Sequence, residues 1–130
     1  MRTYLVDGSN AVRRHDYDPR FPAVEERRTL TWLSRLDRLS GGALGKFQVE
    51  VFFDGRARDV GGPYAGLRIR FSAEARADDM ILGVVRLLGF SGRGAVVVTE
   101  DGALADEARS EGARVLRFSE FEDRLRSRKA

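Results

Sequence analysis

The chain contains no cysteine, so disulfides, thiolate metal sites and cysteine nucleophiles are excluded. It has a single histidine, His15, which removes any histidine cluster; in its charged surroundings a solvated role fits better than general-base catalysis. Lysine is scarce as well: of 23 basic residues only Lys46 and Lys129 are lysine. Guanidinium groups suit bidentate phosphate contacts, although a chain-wide bias towards arginine explains the imbalance equally well. No apolar run approaches the roughly 20 residues of a membrane span. The N-terminal Met1-Arg2-Thr3-Tyr4-Leu5-Val6-Asp7 lacks the apolar core and cleavage site of a signal peptide. The expectation is a cytoplasmic protein with no membrane partner.

What remains is carboxylate and hydroxyl chemistry on a chain of 130 residues, 42% of them apolar, enough to bury the core of one domain spanning 1–130. The net charge is +3, but Asp and Glu number 20, so the surface is mixed and favours a polyanionic partner only weakly.

β-Branched and aromatic runs predict strands at Thr3–Val6, Phe47–Phe53, Leu67–Phe71, Ala95–Thr99 and Arg114–Phe118. Helical periodicity predicts Val24–Leu39, with Leu30, Leu33, Leu36 and Leu39 on one stripe, and Ala77–Leu88, with Ile81, Val84, Val85 and Leu88 on another. Shorter helices are expected at Ala103–Ser110 and Glu120–Arg126. Alternating strands and helices imply right-handed crossovers and a mostly parallel sheet of about five strands covered on both faces, an α/β fold. The continuous runs Tyr4-Leu5-Val6 and Val96-Val97-Val98 belong in central strands. Arg56–Gly66, rich in glycine, reads as a flexible loop beside the site.

Three Asp-Gly dipeptides, at Asp7, Asp54 and Asp101, stand at or just beyond the C-terminal ends of predicted strands. Each alone reads as a turn or a helix cap. In an open parallel sheet, however, ligands bind outside the carboxyl ends of the strands, where acids from separate strands can meet. A fourth acid, Asp78, borders the apolar stripe of its helix, whereas Asp79 points farther outward. Carboxylates gathered at one edge repel one another and call for a divalent cation, and an all-oxygen donor set suits Mg²⁺ or Mn²⁺. Ser9 and Asn10 either orient a ligand or cap the turn after Asp7, and Thr99 offers a hydroxyl at the same edge.

The blocks Leu5-Val6-Asp7-Gly8-Ser9-Asn10, Val51-Phe52-Phe53-Asp54-Gly55, Ala77-Asp78-Asp79-Met80-Ile81 and Val97-Val98-Thr99-Glu100-Asp101 resemble, in order and spacing, the NYN branch of PIN-like nucleases, particularly YacP-like proteins. The likeness runs on through Gly112-Ala113-Arg114-Val115 and Ser119-Glu120-Phe121. It implies a three-layer α/β fold and Mg²⁺- or Mn²⁺-dependent cleavage of RNA at an acidic site matching Asp7, Asp78 and Asp101, with Asp54 and Asn10 in supporting positions. Glu100 departs from the pattern, since relatives carry a small hydroxyl residue there.

The leading expectation is therefore an endoribonuclease whose Asp7, Asp78 and Asp101 bind one or two metal ions, with Asn10, Asp54, Thr99 and Asp79 in support. Arg56, Arg58, Arg68, Arg70 and Arg76 are candidates to carry the RNA backbone. A second reading is a non-catalytic RNA- or ribosome-binding adaptor on the same fold. A third is a small Mg²⁺-dependent phosphatase using Asp54 as nucleophile.

Overall fold

Five strands, β1 (Arg2–Asp7), β2 (Phe47–Phe53), β3 (Arg68–Phe71), β4 (Ala95–Val98) and β5 (Arg114–Leu116), form one sheet in the order β3-β2-β1-β4-β5. Every pairing is parallel. The computed structural model describes residues 2–14, 17–41 and 46–129, so His15 lies outside the described residues. The helices are α1 (Gly8–Arg13), α2 (Pro22–Ser40), α3 (Ala77–Phe90), α4 (Gly102–Ser110) and α5 (Phe118–Lys129).

Alternation along the strands builds two cores. Tyr4, Val6, Val49, Val51, Phe53, Val96 and Val98 face α2 and α5, where Leu33, Leu36, Phe121 and Leu125 are buried. Leu5, Phe52, Ala95 and Val97 face α3 and α4, burying Ile81, Leu82, Val85, Leu104 and Ala108. The result is the expected three-layer α/β architecture, with the apolar runs of β1 and β4 side by side at the middle of the sheet.

Local departures from the sequence reading have identifiable causes. Leu30 is exposed, and Thr29 is buried in its place. A spacing of three falls short of a full helical turn, so the leucine stripe drifts and Leu30 rotates off the core side. Val84 and Leu88 are partly buried beside the Ile81–Val85 core. Strand β4 ends at Val98, one residue short of Thr99, whose N–H still donates to the Leu116 carbonyl at 3.1 Å; Phe118 ends no strand but opens α5 with its ring buried.

The segment between β2 and β3 is an irregular, largely exposed crossover anchored at a few points. Val60 is buried, the Tyr64 hydroxyl donates to the Val60 carbonyl at 2.5 Å, and the Gly66 N–H donates to Asp37 Oδ1 of α2 at 2.7 Å. It covers the α2 face of the sheet, where a crossover helix would ordinarily lie.

Candidate metal-binding edge

Strand order reverses direction at β1, with β2 and β3 on one side and β4 and β5 on the other. The carboxyl ends of β1 and β4 thus flank the crevice where doubly wound sheets take their ligands. Asp7 ends β1, and Asp101 follows β4 by three residues.

The three Asp-Gly dipeptides prove to be of two kinds, two local helix caps and one turn whose aspartate caps a distant helix. Asp7 is the N-cap of α1, its Oδ1 accepting from the Asn10 N–H at 3.4 Å. Gly8 is required by close approach, because a Cβ there would stand 2.9 Å from the Phe52 carbonyl oxygen and 2.7 Å from the Phe53 ring. Asp101 is the N-cap of α4, its Oδ1 accepting from the N–H groups of Ala103 and Leu104 at 2.9 and 3.2 Å. Asp54 caps a helix distant in sequence: the Ala77 N–H at the start of α3 donates to its Oδ1 at 2.8 Å, where the local N-cap, Arg76, supplies no side-chain acceptor. Gly55 alone has the left-handed backbone of a turn glycine, with φ +92°. Three helix N-termini, each with its partial positive charge, are therefore aimed at one edge through three aspartates.

Asp7 is 3% exposed and makes no ion pair among the described residues. Burial is the main reason its carboxyl is pushed up to about 6, with Asp78 and Asp101 raising it further and the Thr99 and Asn10 hydrogen bonds opposing. The Thr99 hydroxyl donates to Asp7 Oδ2 at 2.9 Å, and Thr99 Oγ1 itself accepts the Asp101 N–H at 3.1 Å. Asn10 Oδ1 accepts the Glu100 N–H at 2.9 Å, so α1 and the end of β4 are tied together behind the acids. Ser9 Oγ accepts the Asp54 N–H at 2.8 Å and ties in β2. Asp78, half-buried in the first turn of α3, is likewise raised, by burial first and then by Asp101, while Arg76 at 3.1 Å opposes. Asp79 is exposed.

Asp7, Asp78 and Asp101 are thus close enough to perturb one another, but among the described residues no three acidic or imidazole side chains stand close enough together to enclose an ion. An all-oxygen set of this kind fits a hard cation that keeps several of its waters, as Mg²⁺ does.

The arginines divide. Arg70 is spent on the buried Glu50 at 3.1 Å and lies over the Phe52 ring, and Arg76 pairs with Asp78. Arg58 donates to the Asp54 and Arg56 carbonyls and covers the Phe53 and Phe71 rings. Arg56 and Arg68 are exposed. Three arginines not anticipated from the sequence border the edge. Arg13 pairs with Glu25 and lies 3.8 Å from Asp54 Oδ2. Arg14 and Arg117 hold Glu100 at 2.9 and 3.2 Å, which accounts for the charge at the position that departs from the NYN pattern.

Among the described residues no helix is long and apolar enough to cross a membrane. No family model and no curated protein matches the sequence. Among solved structures, the crystal structure of Rae1 (YacP) from Bacillus subtilis is similar at a TM-score of 0.70 and 18% identity, covering 98% of this chain and 79% of that one. At that identity the likeness establishes the fold: this chain has a YacP-like α/β fold.

Proposed function

We propose that the chain is a metal-dependent endoribonuclease of the NYN, PIN-like type. The observation that carries this reading is buried Asp7 at the reversal point of the sheet, its carboxyl pushed up by burial and further by Asp78 and Asp101, with Asp78 raised in the same way. Asp7, Asp78 and Asp101 would hold Mg²⁺ or Mn²⁺, with Asp54 and Asp79 at the margin. A divalent ion there supplies an acidified water and balances charge building on a phosphodiester. The protein's own part is orientation: Thr99 and Asn10 fix both oxygens of Asp7, and the α4 N-terminus fixes Asp101 Oδ1. Because Oδ1 of Asp54 is held by α3, a supporting role suits it better than that of nucleophile.

The test is cleavage of single-stranded RNA, structured RNA and single-stranded DNA with Mg²⁺, Mn²⁺ or EDTA, with Asp7→Asn as control. Metal-dependent RNA cleavage lost in the variant is the expected result; equal activity in the variant would sink the proposal. Among the described residues no three acids close around an ion, which favours a second reading, a non-catalytic RNA- or ribosome-binding adaptor; RNA binding without metal-dependent cleavage would establish it.

A further inference from the structure

Helix α2 carries charge of opposite sign on its two outward sides. One side, with Glu25, Glu26, Thr29 and Leu30, lines a cleft of about 450 Å³ against Arg58, Asp59, Val60 and Gly61 of the crossover. The other presents Val24, Arg27, Arg28, Thr31, Trp32 and Arg35, which line a depression of about 370 Å³. Those six positions follow a spacing of three, one, three, one and three, a single helical stripe. At 1.5 Å per residue the stripe rises about 16 Å.

A second depression, of about 290 Å³, continues from Arg28 and Trp32 onto Ala11 and Val12 of α1. Asp7 caps that same helix, so Val12 lies about 8 Å along the helix axis from the buried acid. The two depressions therefore join α2 to α1, the helix whose N-cap is Asp7.

Trp32 sits where the two depressions meet, its indole in edge contact with the Phe53 and Phe118 rings at 6.4 and 6.5 Å. Arg27 is exposed, Arg28 is half-buried, and Arg35 is held at the far end by Glu122 at 2.7 Å. An aromatic ring interleaved with arginines has the chemistry of a single-stranded nucleic-acid track, in which bases stack on the ring while guanidinium groups follow the phosphates. Neither depression is lined by an acid; Asp18 and Glu25 line a smaller one, of about 70 Å³, that adjoins Val12, Val24 and Arg28 and bounds the track on that side. The Glu25, Glu26 and Asp59 side of α2 would repel the same strand. Resting on the ribonuclease reading above, we infer that the Arg27-Arg28-Trp32-Arg35 groove receives single-stranded RNA and leads it to the Asp7 edge.

Trp32 is the only tryptophan in the chain, so intrinsic fluorescence reports on this groove alone. In EDTA, a short oligouridylate is expected to quench Trp32, with a log-log salt slope of about −2 if three phosphates are contacted. The Arg27→Ala/Arg28→Ala double variant, altered at the helix surface, should bind about tenfold or more weakly with a slope near −0.7. Trp32→Leu, checked for folding by circular dichroism, should lose about tenfold by anisotropy of labelled oligouridylate. Saturable binding that leaves Trp32 fluorescence unchanged, or an arginine double variant that binds like the wild type, overturns the groove. So does equal affinity for polyglutamate, which would make this face a dock for an acidic protein. Groove binding without cleavage leaves this inference standing and removes hydrolysis; cleavage with unaltered binding in the double variant does the reverse; no binding at all removes both.

Discussion

The Thr99 hydroxyl donates to Asp7 Oδ2 at 2.9 Å, joining residues 92 positions apart at the ends of neighbouring parallel strands. This hydrogen bond opposes the effect of burial on the carboxyl. Thr99→Val removes the donor and also the acceptor of the Asp101 N–H. The Asp7 carboxyl should then titrate above its present value of about 6, with a stability loss of about 1–3 kcal/mol. Titration of the Asp7 carboxyl by carbon NMR and urea unfolding will check both, and Thr99→Ser should behave like the wild type.

Asp7 makes stability fall with pH. Its carboxyl is raised in the folded state from 3.8 to about 6, so between those values the folded chain binds more protons than the unfolded one, and stability declines as pH rises. Below about pH 4 the penalty is absent; above about pH 6 it approaches 3 kcal/mol. Asp7→Asn keeps an oxygen for the cap and should be more stable than the wild type above pH 6 in EDTA, the difference vanishing near pH 4. Urea unfolding from pH 4 to 8 measures this. If a divalent cation occupies the edge, saturating Mn²⁺ at pH 7 should stabilise the wild type and leave Asp7→Asn nearly unchanged.

Gly8→Ala should cost about 2–3 kcal/mol, because the new methyl meets a backbone carbonyl that cannot swing aside. Gly102→Ala, in open space at the start of α4, should be neutral or slightly stabilising. Paired thermal melts separate the two glycines; equal effects would contradict the close packing of α1 on β2.

Glu100 spends its charge on Arg14 and Arg117, both at the surface margin. Glu100→Ser should therefore change stability by no more than about 1 kcal/mol. If the chain has the proposed ribonuclease activity, Glu100→Ser should also leave it within a few-fold of wild type. A complete loss of cleavage in a folded Glu100→Ser variant would make this carboxylate part of the chemistry.

The sheet was legible because its strands are continuous apolar runs, and the acids because each stands where such a run stops. Asp78 and Asp79 were separable by helical phase alone. Helix α1 was not, since Gly8-Ser9-Asn10 has turn composition and forms a helix only because Gly8 can pack against Phe52 and Phe53. Nor was the fate of Arg70: Glu50 reaches it across the β2–β3 pairing, and register is a tertiary property. Arg13, Arg14 and Arg117 gave no periodic signal, and their partners lie far from them in sequence. The stripe of α2 from Val24 to Arg35 does have helical spacing, but its arginines were hidden behind the leucine pattern of the same helix.

The aspartates at the ends of β1, β2 and β4 each begin a helix: Asp7 starts α1, Asp54 starts α3 and Asp101 starts α4. An ancestral chain that lost its chemistry would still be penalised for losing these acids, because each replacement by an apolar residue costs a cap worth about 1 kcal/mol. Selection on folding alone thus preserves much of the signature that selection on catalysis would leave. Asp78 differs: among the described residues its side chain accepts no backbone N–H and pairs with Arg76 at the surface, so folding alone places the weakest demand on it, and its retention would be the sensitive record of the proposed chemistry.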